Sequence, residues 1–296
     1  MGAGERARHG LQLHRHLPEP GARLPRGAAL RARDRRAGRG RAHDDERRRL
    51  RAGRRPRRPA RPGGVRGRDG GDHAPQVPAG LVILDLHLHS ELSDDSRAPV
   101  EAYLKLLQRK RDERPLDGIV LTEHRQFDPT RDYRALEDRY GFLILTAAEV
   151  ETDYGHVLVY GVNEDILRRL DFRNVHLPAQ EVITEVGRLG GVALPCHPGR
   201  PTVGLCAHYE TKPPLEGVIA VEALNGGSKK GEDARVEELI RRYGYKAYGG
   251  SDSHLVSFVG ICATEFEAQI RTIDDLVREL KGGRYRPVDF RPRRPA

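Results

Sequence analysis

Leu81-Val82-Ile83-Leu84-Asp85-Leu86-His87-Leu88-His89-Ser90 is the first stretch of the chain able to form a buried element. Its leading residues, Leu81–Leu86, are apolar except for Asp85 and too few for a self-sufficient helix. They predict a strand covered on both faces. His87 and His89 stand two residues apart at its end. Strand side chains alternate with period two, so both rings project to the same side. In a parallel barrel the groups that do chemistry collect where strands end.

Downstream, short β-rich runs alternate with helical periods. Pro99 opens a predicted helix with Val100, Tyr103, Leu104 and Leu107 along one face. Gly118–Thr122 is the next strand, a polar helix follows over Thr130–Tyr140, and strands recur at Phe142–Val150 and His156–Tyr160. Pro178 starts a helix carrying Val182, Val186 and Leu189, which Gly190-Gly191 ends. Further strands are predicted at Val192–Cys196, Gly217–Ala223 and Lys246–Gly250, with Val236, Leu239, Ile240 and Tyr243 marking a helix before the last. Thr272 caps a final helix with Ile273, Leu276, Val277 and Leu280, and Gly282 lies just past its end. This order predicts an α/β fold of parallel βαβ units, in a barrel or a doubly wound sheet. Neither G-x-G-x-x-G after the first strand nor G-x-x-x-x-G-K-[ST] occurs, so a Rossmann or P-loop nucleotide site lacks support.

Upstream the character changes sharply. Residues 1–80 hold 22 Arg, no Lys and 8 acids, a net +14, whereas residues 81–296 carry a net −5. The overall +9 therefore belongs to the N-terminal segment and is no footprint of nucleic acid on the folded domain. Residues 1–80 are rich in Arg, Gly and Pro, contain no Ile, Phe, Tyr or Trp, and are expected to be disordered. A basic arm that binds nucleic acid or an acidic partner is one reading of them. The lysine-free composition and sharp edge favour another, a start assigned too far upstream. The chain thus divides into 1–80 and a folded domain over 81–296. No run approaches the roughly 20 apolar residues of a membrane span. Cys196, Cys206 and Cys262 fit reduced thiols of a cytoplasmic protein, and Cys196 is read as a small buried hydrophobe.

The strand ends carry the chemistry. His87, His89 and then Asp94 follow the first strand, and Glu123 and His124 the second. Glu149 ends the third and His156 begins the next. His197, Glu222, and the pair Asp252 and His254 follow in turn. Each alone has an ordinary explanation: a local hydrogen bond, a solvated strand end, a turn cap. Together they leave six of the eight histidines of residues 81–296 at strand ends, which no packing rule explains. Imidazoles and carboxylates at one rim suit divalent cations, and paired ions can activate water and clamp a phosphoryl group.

The motifs that carry a family resemblance come in order. Asp85-Leu86-His87-Leu88-His89-Ser90, with Ser93-Asp94, resembles the first motif of the polymerase-and-histidinol-phosphatase (PHP) phosphoesterases. Thr122-Glu123-His124, Ala148-Glu149-Val150 with Gly155-His156-Val157, Cys196-His197-Pro198-Gly199-Arg200 and Gly250-Ser251-Asp252-Ser253-His254 resemble the remaining ones. The resemblance covers essentially all of 81–296. It implies a distorted (β/α)7 barrel with two or three divalent ions (Mn, Fe or Zn) and hydrolysis of phosphate esters. Carried over by residue, His87, His89, Glu149 and Asp252 would hold one ion. Glu149 would bridge to a second held by His156 and His197, and Asp94, His124 and His254 would hold a third. Asp252 or His254 would assist proton transfer. Two positions depart from the pattern. Glu123 stands where aspartate is usual and is expected to support ligands rather than act as one. Asp95 stands where glycine is usual and alters the loop after Asp94.

Arg125 and Arg200, next to His124 and three residues after His197, are the candidate phosphate contacts, with Arg200 also a candidate catalytic group. Pro201–Glu216 lacks a clear period and is expected to form a substrate-covering loop, with Tyr209 available for stacking. The expected partner is a phosphorylated small molecule or nucleotide, or a short RNA or DNA end, with no membrane involved. A nucleic-acid-binding or scaffold module with a non-catalytic barrel is the alternative. Amidohydrolase-like C–N cleavage ranks below both, because a glutamate, not a lysine, holds the bridging position.

Overall fold

A computed structural model describes residues 81–292. The segment 1–80, with its expected disorder, lies outside the described residues. β1 (Val82–Leu88), β2 (Gly118–His124) and β3 (Leu143–Thr152) run parallel at the centre of a seven-stranded sheet. Its order is β5-β4-β3-β2-β1-β8-β9, where β4 is Gly155–Tyr160, β5 Val192–Pro195, β8 Cys262–Phe266 and β9 Tyr285–Asp289. β6 (Ala220–Asn225) and β7 (Lys246–Gly250) form a separate parallel pair. Hydrogen bonds from Asp252 N to His87 O and from His89 N to Ser253 O tie the chain after β7 to the end of β1.

The expectation of parallel strands throughout is corrected here. β4 is antiparallel to β3 and β5, and β8 is antiparallel to β1 and β9. Only Asp153 and Tyr154 separate β3 from β4, and so short a connection permits only an antiparallel return. Gly155, at φ +98°, supplies the left-handed backbone beside that turn, where a Cβ would strike the carbonyl of Val203.

The helices form where the apolar stripes predict. α1 (Val100–Arg109) buries Val100, Tyr103, Leu104 and Leu107, each burial worth about 1.5–3 kcal/mol before entropy is set against it. α4 (Ala179–Arg188) buries Val182 and Val186. α6 (Glu232–Tyr243) buries Val236 and Leu239, and α7 (Ile273–Gly282) starts on a Thr272–Asp275 capping box. Gly283, rather than Gly282, takes the left-handed C-cap of α7. α2 spans Arg134–Tyr140 and α3 Glu164–Arg169.

The expected loop Pro201–Glu216 contains a short helix, α5 (Leu205–Tyr209). Tyr209 is half-buried and held by its neighbours. Its hydroxyl lies 3.0 Å from that of Tyr245 and accepts a hydrogen bond from Leu215 N, and its ring packs edge-on to Tyr243.

Beneath the rim, Val82, Leu84 and Leu86 share a core with Tyr160, Leu194, Tyr248 and Phe266. The hydroxyls of Tyr160 and Tyr248 donate to the carbonyls of Leu86 and Pro195, 3.0 Å each, so the polar ends of these two rings are satisfied. The register of β1 against β2 shifts between Asp85 and Leu88, and there the apolar side chains give way to His87 and His89. Bulges of this kind re-aim side chains beside functional sites.

Candidate metal centre

Glu149 is fully buried at the middle of the rim and faces five imidazoles. Its Oε1 lies 2.7 Å from His156 Nδ1 and 3.0 Å from His197 Nε2. Its Oε2 lies 3.1 Å from His87 Nε2, 3.0 Å from His89 Nε2 and 3.5 Å from His124 Nδ1. Asp252 Oδ1 completes one side at 3.4 Å from both His87 and His89 Nε2. His254 stacks on His89 with ring centroids 4.3 Å apart.

Hydrogen bonds around the rim fix which nitrogen looks inward. Glu222 Oε1 accepts from His87 Nδ1 at 3.0 Å, leaving Nε2 to the centre. Ser93 Oγ donates to Glu123 Oε2 at 2.6 Å, so it accepts from His89 Nδ1 at 3.2 Å and from His124 N at 3.1 Å. Glu123 therefore acts one bond removed from the cluster, anchoring Ser90 and Ser93. His254 Nδ1 donates to the Asp252 carbonyl at 3.0 Å. Among the described residues, the non-glycine positions with left-handed backbone are Arg125 (φ 55°), His197 (φ 30°) and Asp252 (φ 51°), all at this rim. Such strain persists where surrounding contacts over-determine it.

The electrostatics follow from burial set against charge. Burial opposes ionisation of Glu149, but His87, His156 and His197 outweigh it and hold the carboxyl well below its ordinary range. Asp252 is depressed in the same way by His87 and His89. Burial also opposes the imidazolium of His89, yet hydrogen bonds with Asp252 and Glu149 lift its pKa to about 9. His87 is raised by Asp252, Glu222 and Glu149 against the same burial. Burial pushes His124 and His197 down, favouring the neutral imidazoles that bind metals.

The donors fit divalent cations. Four overlapping sets have ligand atoms within 4.8 Å of one another: His87, His89, Glu149, Asp252; His87, Glu149, Cys196, His197; His124, Glu149, His156; and His89, His124, His254. His124 Nδ1 and His197 Nδ1 are buried without hydrogen-bond partners. The first of these lies on the Glu149 side of its ring, where a cation would satisfy it.

The motifs expected from the sequence thus converge on one carboxylate. The last of them, Gly250–His254, falls within residues 232–285, which match a family profile described as PHP-associated. Over those residues the chain is similar to PHP-associated proteins. Solved structures share the fold of this chain. PsfC from Pseudomonas syringae PB-5123 matches with a TM-score of 0.53 and 21% identity, over 71% of this chain and 91% of that one. The lesion-specific endonuclease PfuEndoQ from Pyrococcus furiosus matches with a TM-score of 0.53 and 16% identity over 70% of this chain. This chain covers 58% of that endonuclease. No curated protein matches in sequence.

One expected ligand stands apart. Asp94 is exposed and pairs with Arg125, which also binds Glu151 at 2.5 Å. Its neighbour Asp95 places Oδ2 3.2 Å from His124 Nε2 and 3.1 Å from His254 Nε2. The Asp94-Asp95 pair was the only signal in the sequence for an acid at this position facing His124 and His254. Arg200 reaches the rim and donates to Asp252 Oδ2, with Asn225 Oδ1 at 3.4 Å. Glu222 was visible only as a strand-end acid. Its partners are His87 Nδ1, His197 N and Asn225 Nδ2. Among the described residues no helix is long and apolar enough to cross a membrane.

Proposed function

We propose that this chain is a metal-dependent hydrolase of phosphoric esters. Its substrate would be a nucleotide or small-molecule phosphomonoester, or a short oligonucleotide end. The observation that carries this reading is the buried Glu149 carboxylate, each of whose oxygens faces more than one imidazole nitrogen. Bridging carboxylates in that setting serve clusters of ions. His87, His89, Glu149 and Asp252 would hold one ion, Glu149, His156 and His197 a second, and His124 and His254 a third with Asp95 in the place expected of Asp94. Two or three ions of Mn, Fe or Zn bound there would activate water near neutral pH and offset charge on phosphoryl oxygens. The strands that carry these residues are read as a distorted (β/α)7 barrel.

The chain's own residues supply the rest. The rim opens into a cavity of about 450 Å³ whose wall includes Arg125 and Arg200. Their guanidinium forks suit phosphate oxygens. Glu222, Ser93 and the Asp252 carbonyl orient His87, His89 and His254. A larger cleft of about 1040 Å³ shares Asp94, His124 and Arg125 with the cavity and adds Arg168, Arg169 and Arg173. It offers room for the remainder of a phosphorylated substrate. The endonuclease activity named for the Pyrococcus furiosus protein is compatible with this chemistry.

The test is inorganic phosphate release by the Mn-loaded full chain from nucleoside phosphates and bisphosphates, short 5′-phosphorylated RNA and histidinol phosphate. Turnover is expected to be abolished by chelator and in His197→Ala. A folded, metal-replete protein that releases no phosphate would sink the phosphomonoesterase reading. Retained activity after deletion of residues 1–80 would set aside the nucleic-acid-binding scaffold.

A further inference from the structure

We propose that Cys196 is a sulfur ligand of the ion that Glu149 and His197 would hold, and that this position prefers thiophilic ions such as Zn over Mn. The inference rests on the metal centre proposed above and adds to it a ligand that changes its selectivity.

Cys196 extends β5, and its N–H donates to the carbonyl of His156 at 3.2 Å. In a regular strand Cys196 and His197 would face opposite sides. The left-handed turn at His197, φ 30°, breaks that alternation and brings both side chains to one centre. Cys196 Sγ lies 3.4 Å from Glu149 Oε1 and 3.4 Å from His197 Nε2, and the residue is fully buried. The ligand atoms of His87, Glu149, Cys196 and His197 all lie within 4.8 Å of one another. A tetrahedral ion with Zn–S near 2.3 Å and Zn–N near 2.0–2.1 Å would hold sulfur and nitrogen about 3.5 Å apart. The spacing between Cys196 and His197 matches that without movement of either side chain. Coordination replaces the S–H proton, which passes to solvent, and no oxidation is involved. Thiolate donors favour Zn and other soft ions over Mn. Packing as a small hydrophobe accounts for the burial of Cys196 but not for its distances to two ligand atoms.

The test is X-ray absorption at the zinc edge on the full chain, with metal content measured on the same sample. A sulfur shell at about 2.3 Å is expected beside the nitrogen and oxygen shell. It should persist in the Cys206→Ala/Cys262→Ala double variant, whose one thiol is Cys196, and vanish in Cys196→Ser. The double variant decides the matter even if Cys196→Ser does not fold. Zinc bound with only nitrogen and oxygen neighbours overturns the sulfur ligand and leaves the metal centre standing. Protein that holds Mn or Fe but no zinc overturns the thiophilic preference, and protein that holds no divalent ion overturns both.

Discussion

Glu222 Oε1 lies 3.0 Å from His87 Nδ1, with both side chains wholly buried. The other oxygen of Glu222 accepts from His197 N at 2.7 Å and from Asn225 Nδ2 at 2.8 Å. One carboxylate therefore sets the tautomer of one histidine and the backbone of another. An amide has a single acceptor oxygen and cannot serve all three donors. Glu222→Gln should weaken metal binding by roughly 10–100-fold, as loss of such supporting contacts does elsewhere. Competition against a chromophoric chelator measures this, and unchanged affinity would show that Glu222 only fills space.

Asp94 and Asp95 should separate cleanly. Asp95 faces His124 and His254, whereas Asp94 faces Arg125. Asp95→Asn should lower affinity for the most weakly held ion by about tenfold or more. Asp94→Asn should change metal content little, because Arg125 retains Glu151. Calorimetric titration of the two variants decides between them, and the reverse ranking would restore Asp94 as the ligand.

Protons and metal ions compete for the same nitrogens. Burial opposes charge on His89, yet Asp252 and Glu149 raise its pKa from the ordinary 6.5 to about 9. In chelator-stripped protein the stability this contributes is fully present below about pH 6.5 and lost as the pH rises through about 9. Glu149, held well below its ordinary 4.5, contributes above that value and loses its contribution as the pH falls. Stripped protein should therefore melt highest between these ranges and weaken above about pH 8, while metal-loaded protein holds its melting temperature there. Parallel melting profiles for the two forms would contradict this competition.

Tyr103 links α1 to the rim. Its hydroxyl lies 2.8 Å from the His89 carbonyl and 3.0 Å from that of Ser253. Tyr103→Phe should cost about 0.5–1.5 kcal/mol, because its hydrogen bonds are lost while the His89 carbonyl keeps Ser96 Oγ and the Ser253 carbonyl keeps His89 N. Urea unfolding of the chelator-stripped protein isolates this effect from metal binding.

Much of the metal centre was legible because its residues follow strands whose apolar runs are unmistakable, as with Leu81–Leu86 before His87. β8 and β9 were not legible. β9, Tyr285-Arg286-Pro287-Val288-Asp289, is an edge strand whose proline and charges obscure any alternation. That Asp95 rather than Asp94 faces His124 and His254 was hidden because it depends on a loop pinned by Glu123 through Ser90 and Ser93, a contact between residues about 30 positions apart. Cys196 looked like core because a strand pattern places it opposite His197, and only the backbone turn at His197 cancels that.

The most direct measurement is the metal content of the purified, dialysed full chain beside Glu149→Gln. If Glu149 bridges ions, the unaltered protein should retain two or three divalent ions per chain and the folded variant no more than one. Equal metal content in the two proteins would contradict the bridging role of Glu149.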